Sequence, residues 1–186
     1  MKISAFEVRV GNLIEYQEKL WRIYKTNHVK PGKGGAFVQM EMKCIGEGTK
    51  LNERFRSEDK VDKVHVEVRQ MQYLYTEGDS YIFMDNETFE QLTMSAEDLV
   101  DQIPLLLPNT DVQINFHNDS PIGIDLPINV ILEVIETDVM LKGQTATSGG
   151  KPAVLETGYK LTVPQFISIG DKVKVNTETG QYVERV

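Results

Sequence analysis

Short β-forming runs broken by tight turns follow one another along almost the whole chain, and only one stretch carries a helix start signal. Residues 13–16, 20–25, 36–42 and 50–56 are each brief, rich in β-formers and partly alternating in polarity. Gly11-Asn12 and Gln17-Glu18 supply turn residues between the early runs. Four such runs suit a small barrel, and the glycine-rich segment after residue 25 then joins its second and third strands.

The style persists downstream. Runs at 64–70, 71–75 and 80–84 follow, with Glu77-Gly78-Asp79 turning between the last two as in a compact hairpin. Ser95-Ala96-Glu97-Asp98 has capping-box spacing ahead of Leu99, Val100 and Ile103, and Pro104 is a stop, so one short helix is expected there. Runs at 112–116 and 121–126 flank an Asn118-Asp119 turn. Runs at 129–135, 159–163 and 172–175 complete the set, with a polar loop from Gly143 to Lys151. Val64 and Pro127 are the candidate boundaries, giving all-β units at 1–63, 64–127 and 128–186. Three units of about 60 residues in an extended arrangement would reach on the order of 80 Å, which suits a large partner better than a small substrate.

A hydrophobic content of 40% with 26% charged residues is enough to build cores and argues against disorder. Glu7 and Arg9 interrupt the N-terminal segment where a signal peptide needs apolar residues, and no apolar run approaches the roughly 18 residues of a membrane span. A cytoplasmic protein without a membrane partner is expected. The single cysteine, Cys44, excludes an internal disulfide and reads as a packed small hydrophobe. The net charge of −8 hides a gradient: residues 1–63 hold 13 Lys+Arg against 9 Asp+Glu (+4), and residues 64–186 hold 7 against 19 (−12). Such a chain can orient on RNA through its first third.

In that third lies His28-Val29-Lys30-Pro31-Gly32-Lys33-Gly34-Gly35. Pro31 fixes one backbone angle, while Gly32, Gly34 and Gly35 remove the side chains that would crowd Lys33. The result is a slim tip carrying one mobile cation, suited to phosphate or a carbonyl and open to covalent modification; a plain hairpin turn with a solvated lysine is the competing reading. The segment is not a nucleotide-binding P-loop, because Gly34 stands where Ser or Thr must follow the lysine and a strand follows instead of a helix. His28, His65 and His117 are far apart and offer no zinc spacing. The pairs Glu58-Asp59 and Glu97-Asp98 fall in a turn and at a helix start, where charge is routine. No catalytic or metal-binding constellation is present.

Five separated stretches carry a resemblance: KPGKGGAF at 30–37, NERFRSEDKV at 52–61, YLYTEGDSYIFMDNETFEQ at 73–91, KPAVLETG at 151–158 and GDKVKVNTETGQYVER at 170–185. In this order the chain resembles the bacterial elongation factor P family along essentially its whole length. The resemblance implies an SH3-like (KOW-type) domain followed by two OB-fold domains, arranged in an L that is similar to tRNA. It implies a monomeric, cofactor-free, non-enzymatic partner of both ribosomal subunits, seated between the peptidyl and exit sites, that contacts peptidyl-tRNA and relieves stalling at consecutive prolines. Lys33 matches the family position that reaches the CCA end of the tRNA and is often extended by a modifying enzyme, commonly with β-lysine. A lysine there matches the lysine-modified branch rather than the one rhamnosylated on arginine. Gly143, Gln144 and Thr145 correspond to a Gly-Asp-Thr triplet associated with the exit-site codon, Gln144 losing a charge but keeping an acceptor. Tyr182 and Arg185 match a Gly-x-Tyr-x-x-Arg pattern implying ribosome contact, against a packed tyrosine and a solvated arginine.

Two other readings of the residues remain. A general OB-fold protein could stack single-stranded RNA on Tyr73, Tyr75, Tyr81 and Phe83, although these lie in the acidic part and better suit a core. A Schiff-base enzyme could use Lys33, which would require a desolvated amine.

Overall fold

The structure, a computed structural model, describes residues 1–139 and 149–186. Sixteen strands among the described residues form three sheets, and the chain is all-β apart from short 3-10 turns. Strands β1 (Lys2–Ser4), β2 (Leu13–Tyr16), β3 (Lys19–Val29), β4 (Phe37–Cys44), β5 (Lys50–Arg56) and β6 (Lys60–Lys63) make the first sheet, in the order β1-β6-β2-β3-β4-β5. Alternation decides which face is inside. In β4 the side chains of Val38, Met40, Met42 and Cys44 are buried, while Gln39 and Glu41 between them are exposed. They meet Ile14, Trp21, Ile23, Phe55 and Val61 in one core. Trp21 keeps its indole satisfied there, Nε1 donating to the Tyr16 carbonyl at 2.8 Å. The Gln17-Glu18 turn takes positive φ at both residues (50° and 61°), the twist-matched geometry for a two-residue hairpin.

The second sheet contains β7 (Glu67–Glu77), β8 (Ser80–Asp85), β9 (Gln91–Ser95), β10 (Asp111–His117) and β11 (Ser120–Asp125), ordered β11-β10-β7-β8-β9. The two runs read at 64–75 are one strand with a bulge between Tyr73 and Tyr75. The expected single helix is replaced by 3-10 turns at Glu97–Leu99 and Ile103–Leu105. The Ser95 hydroxyl does reach Asp98 (2.8 Å), but Pro104 lies inside the second turn instead of ending a helix. Leu99 is fully buried and Leu105 is drawn into the core of the third sheet, so the segment is held by its two leucines and not by a helical ladder.

That third sheet consists of β12 (Asn129–Thr137), β13 (Lys151–Leu155), β14 (Lys160–Val163), β15 (Lys172–Asn176) and β16 (Tyr182–Arg185), ordered β14-β13-β12-β15-β16. Val130, Leu132, Val134, Leu155, Val173 and Val175 line its core. The chain gathers into two compact units, Met1–Val68 with Ile114–Gly123, and Arg69–Gln113 with Ile124–Val186. In the first unit His117 Nδ1 lies 3.2 Å from the His65 carbonyl, and the guanidinium of Arg22 occupies the space a side chain would need at Gly123. The His117 ring is thus tied to the backbone at His65.

Asp85, at the end of β8, accepts hydrogen bonds from the backbone N–H groups of Glu87 (2.8 Å) and Thr88 (3.0 Å). The Thr88 bond first, then that of Glu87, holds its carboxyl below the ordinary carboxylate range. A pKa lowered by folding contributes stability above the unfolded value, near 3.9, and loses it as pH falls through the folded value. Urea unfolding between pH 5 and pH 2 should therefore show a shallower acid limb for Asp85→Asn than for the unaltered protein. Parallel curves would contradict this assignment.

Candidate functional site

The tip is carried by the longest hairpin of the first sheet. β3 and β4 pair at eight positions from Trp21↔Cys44 to Val29↔Phe37, and residues 30–36 then span the gap. The pairing fixes which root residues face which side. His28 lies opposite buried Val38, on the face that bears the core, and there its ring meets the Phe6 ring edge-on with centroids 5.0 Å apart. Phe37 lies opposite Arg56, on the outer face, and there the Arg54 guanidinium carbon sits 3.4 Å from the ring centroid. The Ser57 N–H donates to the Ala36 carbonyl at 3.0 Å and ties the root to the β5–β6 turn.

Beyond this braced root the chain is bare. Lys30, Pro31, Gly32, Lys33, Gly34 and Gly35 are all exposed, and among the described residues the Lys33 ammonium has no hydrogen-bond or ion-pair partner. Gly34 takes φ +113°, a conformation that strains any other residue, so the bend after Lys33 requires glycine. A lysine standing in solvent is the opposite of the desolvated amine a Schiff-base enzyme needs.

Of the four aromatics singled out in the second sheet, Tyr73 and Phe83 are core material and Tyr81 is partly buried. Tyr73 is 4% exposed and Phe83 0%, their ring centroids 5.5 Å apart, and the bulge leaves Tyr75 half-exposed. The surroundings are also wrong for RNA, because residues 64–127 hold 12 Asp+Glu against Arg69 as their sole Lys or Arg. Divided at 63 and 127, the chain carries +4, −11 and −1, which together make −8.

Tyr182 is half-buried and packs against the core of the third sheet. Arg185 is exposed, its guanidinium carbon 5.4 Å from the Phe166 ring centroid and Nη1 3.8 Å from an Asp171 oxygen. Beside Tyr182 a cleft runs along residues 159–165 and 179–182. The Tyr159 hydroxyl donates to the Gly180 carbonyl at 2.9 Å across it. Gly143, Gln144 and Thr145 lie outside the described residues. At the start of β13 the sequence reading missed Lys151, which is buried and donates to the Asp138 carbonyl at 2.6 Å. It also missed the two braces of the tip, whose partners lie on different segments of the chain; the alternation of residues 52–56 could have placed Arg54 and Arg56 on one face, and only pairing shows what they lie against. Among the described residues no group of three or more His, Cys, Asp or Glu could hold a metal, and no helix is long and apolar enough to cross a membrane.

Residues 4–61 match the family model described as Elongation factor P (EF-P) KOW-like domain, residues 66–124 match Elongation factor P (EF-P) OB domain, and residues 130–185 match Elongation factor P, C-terminal. A protein of Acidithiobacillus ferrooxidans named Elongation factor P is 56% identical over 185 residues, covering 100% of both chains. Its namesake in Nitrosospira multiformis is 54% identical over 186 residues, covering 100% of this chain and 99% of that one. Among solved structures, eukaryotic translation initiation factor 5A from Methanococcus jannaschii aligns with a TM-score of 0.53 at 23% identity, over 68% of this chain and 92% of that one, a likeness of fold.

The surface that carries Tyr182 depends on one glycine. Gly180 has φ +70°, and a Cβ there would overlap the Tyr159 hydroxyl. Gly180→Ala is expected to cost about 1–3 kcal/mol in urea unfolding, by backbone strain and loss of the Tyr159 bond. A change below the error of the measurement would show that this turn does not organise the cleft.

Proposed function

The chain belongs to the elongation factor P family of translation elongation factors, and from that premise we propose that it binds the ribosome between the peptidyl and exit sites and holds peptidyl-tRNA in its reactive pose. The family is one of translation factors, not enzymes. The catalytic need is positional. Proline has a locked φ and a secondary amine, so a nascent Pro-Pro end holds the reacting groups out of attack geometry. A misplacement of about 1 Å costs on the order of 100-fold in rate, and a partner that restores the pose restores the rate without doing chemistry. The ribosome then makes the bond.

The observation that carries this reading is the bare Lys33 on a braced hairpin. A stiff root and a slim tip suit delivery of a cation into a narrow RNA cavity, at the CCA end of the tRNA. The same exposure makes the ammonium accessible to a lysine-modifying enzyme, and an added β-lysyl group would extend its reach and its donors. The factor works as a cytoplasmic monomer without a cofactor, touching both ribosomal subunits. Tyr182 and Arg185 contribute to the ribosome-facing surface of the last domain, and Gln144 retains an acceptor for the exit-site codon.

Lys33→Ala should leave unfolding within about 0.5 kcal/mol of the unaltered protein, because the side chain is exposed and has no hydrogen-bond or ion-pair partner among the described residues. In a reconstituted translation assay its stimulation of Pro-Pro bond formation should fall toward the factor-free rate, even at saturating factor. Full stimulation by the alanine variant would overturn the assigned role.

A further inference from the structure

We propose that Arg54 and Arg56 form a seat for successive phosphates of the RNA strand that Lys33 approaches, with Phe37 as the platform that sets Arg54 in place. This rests on the reading just given and adds to it a second contact, at the root of the hairpin. On β5 both arginines are exposed and flank buried Phe55, so they share the outer face of the sheet. Same-face residues on a strand lie about 6.8 Å apart, near the separation of neighbouring phosphates along an RNA strand.

The Arg54 guanidinium lies on the Phe37 ring, a contact that uses its flat face and leaves its in-plane N–H donors free for an oxyanion. Stacking also lowers the ordering cost of a long side chain, which makes the donor fork ready before a ligand arrives. A cleft runs from Gly35 and Phe37 to both arginines and Ser57. Two carboxylates also line it: Asp59 is held by the backbone N–H of Arg56 at 2.7 Å, and Glu58 is exposed.

Charge on the wider face argues for a phosphodiester occupant. The outward positions of β3, β4 and β5 include Lys25, Lys43, Lys50, Arg54 and Arg56 against one acid, Glu41, which lies 3.5 Å from Lys25. Asn27 and Gln39 complete the row that ends on Arg54. A protein partner would need an uncovered aromatic or aliphatic anchor, whereas the aromatic here lies under a guanidinium.

The test uses Arg54→Ala, Arg56→Ala and the double variant, each carrying the same Lys33 modification state as the unaltered factor by intact mass. The factor concentration giving half-maximal stimulation of Pro-Pro synthesis is measured across a potassium chloride series. Each single variant should raise that concentration about tenfold and flatten the log–log salt dependence by about one unit, as loss of one phosphate contact requires. The stimulated rate at saturation should be unchanged, in contrast to Lys33→Ala. Phe37→Leu should weaken binding by a smaller factor and Phe37→Trp should restore it, with unfolding curves confirming that each variant is folded. Unchanged half-saturation and salt slope, with normal stimulation by the unaltered factor, would overturn the seat and leave the translation role standing. Variants deficient only in acquiring the Lys33 modification would assign the face to the modifying enzyme and overturn the seat as well. No stimulation by the unaltered factor would instead overturn the translation reading itself.

Discussion

Cross-strand pairing of β3 with β4 is the constraint on which the tip depends. The ladder continues past the apolar half of β3 to Val29↔Phe37, through Thr26, Asn27 and His28, whose side chains add little to a core. That extension turns a turn near the core into a projecting hairpin, and its register sends His28 to one face and Phe37 to the other. A one-residue slip would exchange those faces and dissolve both braces. Lys33 owes its exposure to this register as much as to its glycine neighbours.

Charge is sorted by sheet as well as by side chain. The segment bearing the tip carries +4 and the next −11, so phosphate is attracted to the first segment and repelled by the second. A chain sorted in this way can orient on an RNA surface despite its negative total. In the second sheet Tyr73 and Phe83 are buried as structure, and of its acids Asp85 is buried against backbone N–H groups while Glu67, Glu77, Asp111 and Asp125 are exposed.

Much of this architecture could be read from the residues alone, where the signal was local. β2 and β5 were legible to their end residues because β-formers there stop at turn residues, and the Asn118-Asp119 turn was legible because Asn and Asp tolerate its positive φ (49° and 61°). The exposed lysine was legible for the same reason: proline and glycine act on their own neighbours. What escaped was non-local. Residues 26–29 become strand only because residues 37–40 are there to pair with them. Strands β1 and β6 are only three and four residues long, β9 alternates over just five, and Pro104 was misread because the pull of Leu105 toward a different core is invisible in sequence. The Arg54–Phe37 stack belongs to the same class, since it joins two strands and neither residue announces the other.

In the proposed role, residue 33 is held out by its braced hairpin into contact with the 3′ end of peptidyl-tRNA. The most direct measurement places a short photoreactive group at position 33 through Lys33→Cys and maps its crosslinks on ribosomes stalled at a Pro-Pro sequence. Crosslinks to the terminal nucleotides of the peptidyl-site tRNA are expected. Efficient crosslinking confined to ribosomal protein, or to the factor itself, while the factor remains bound would contradict it.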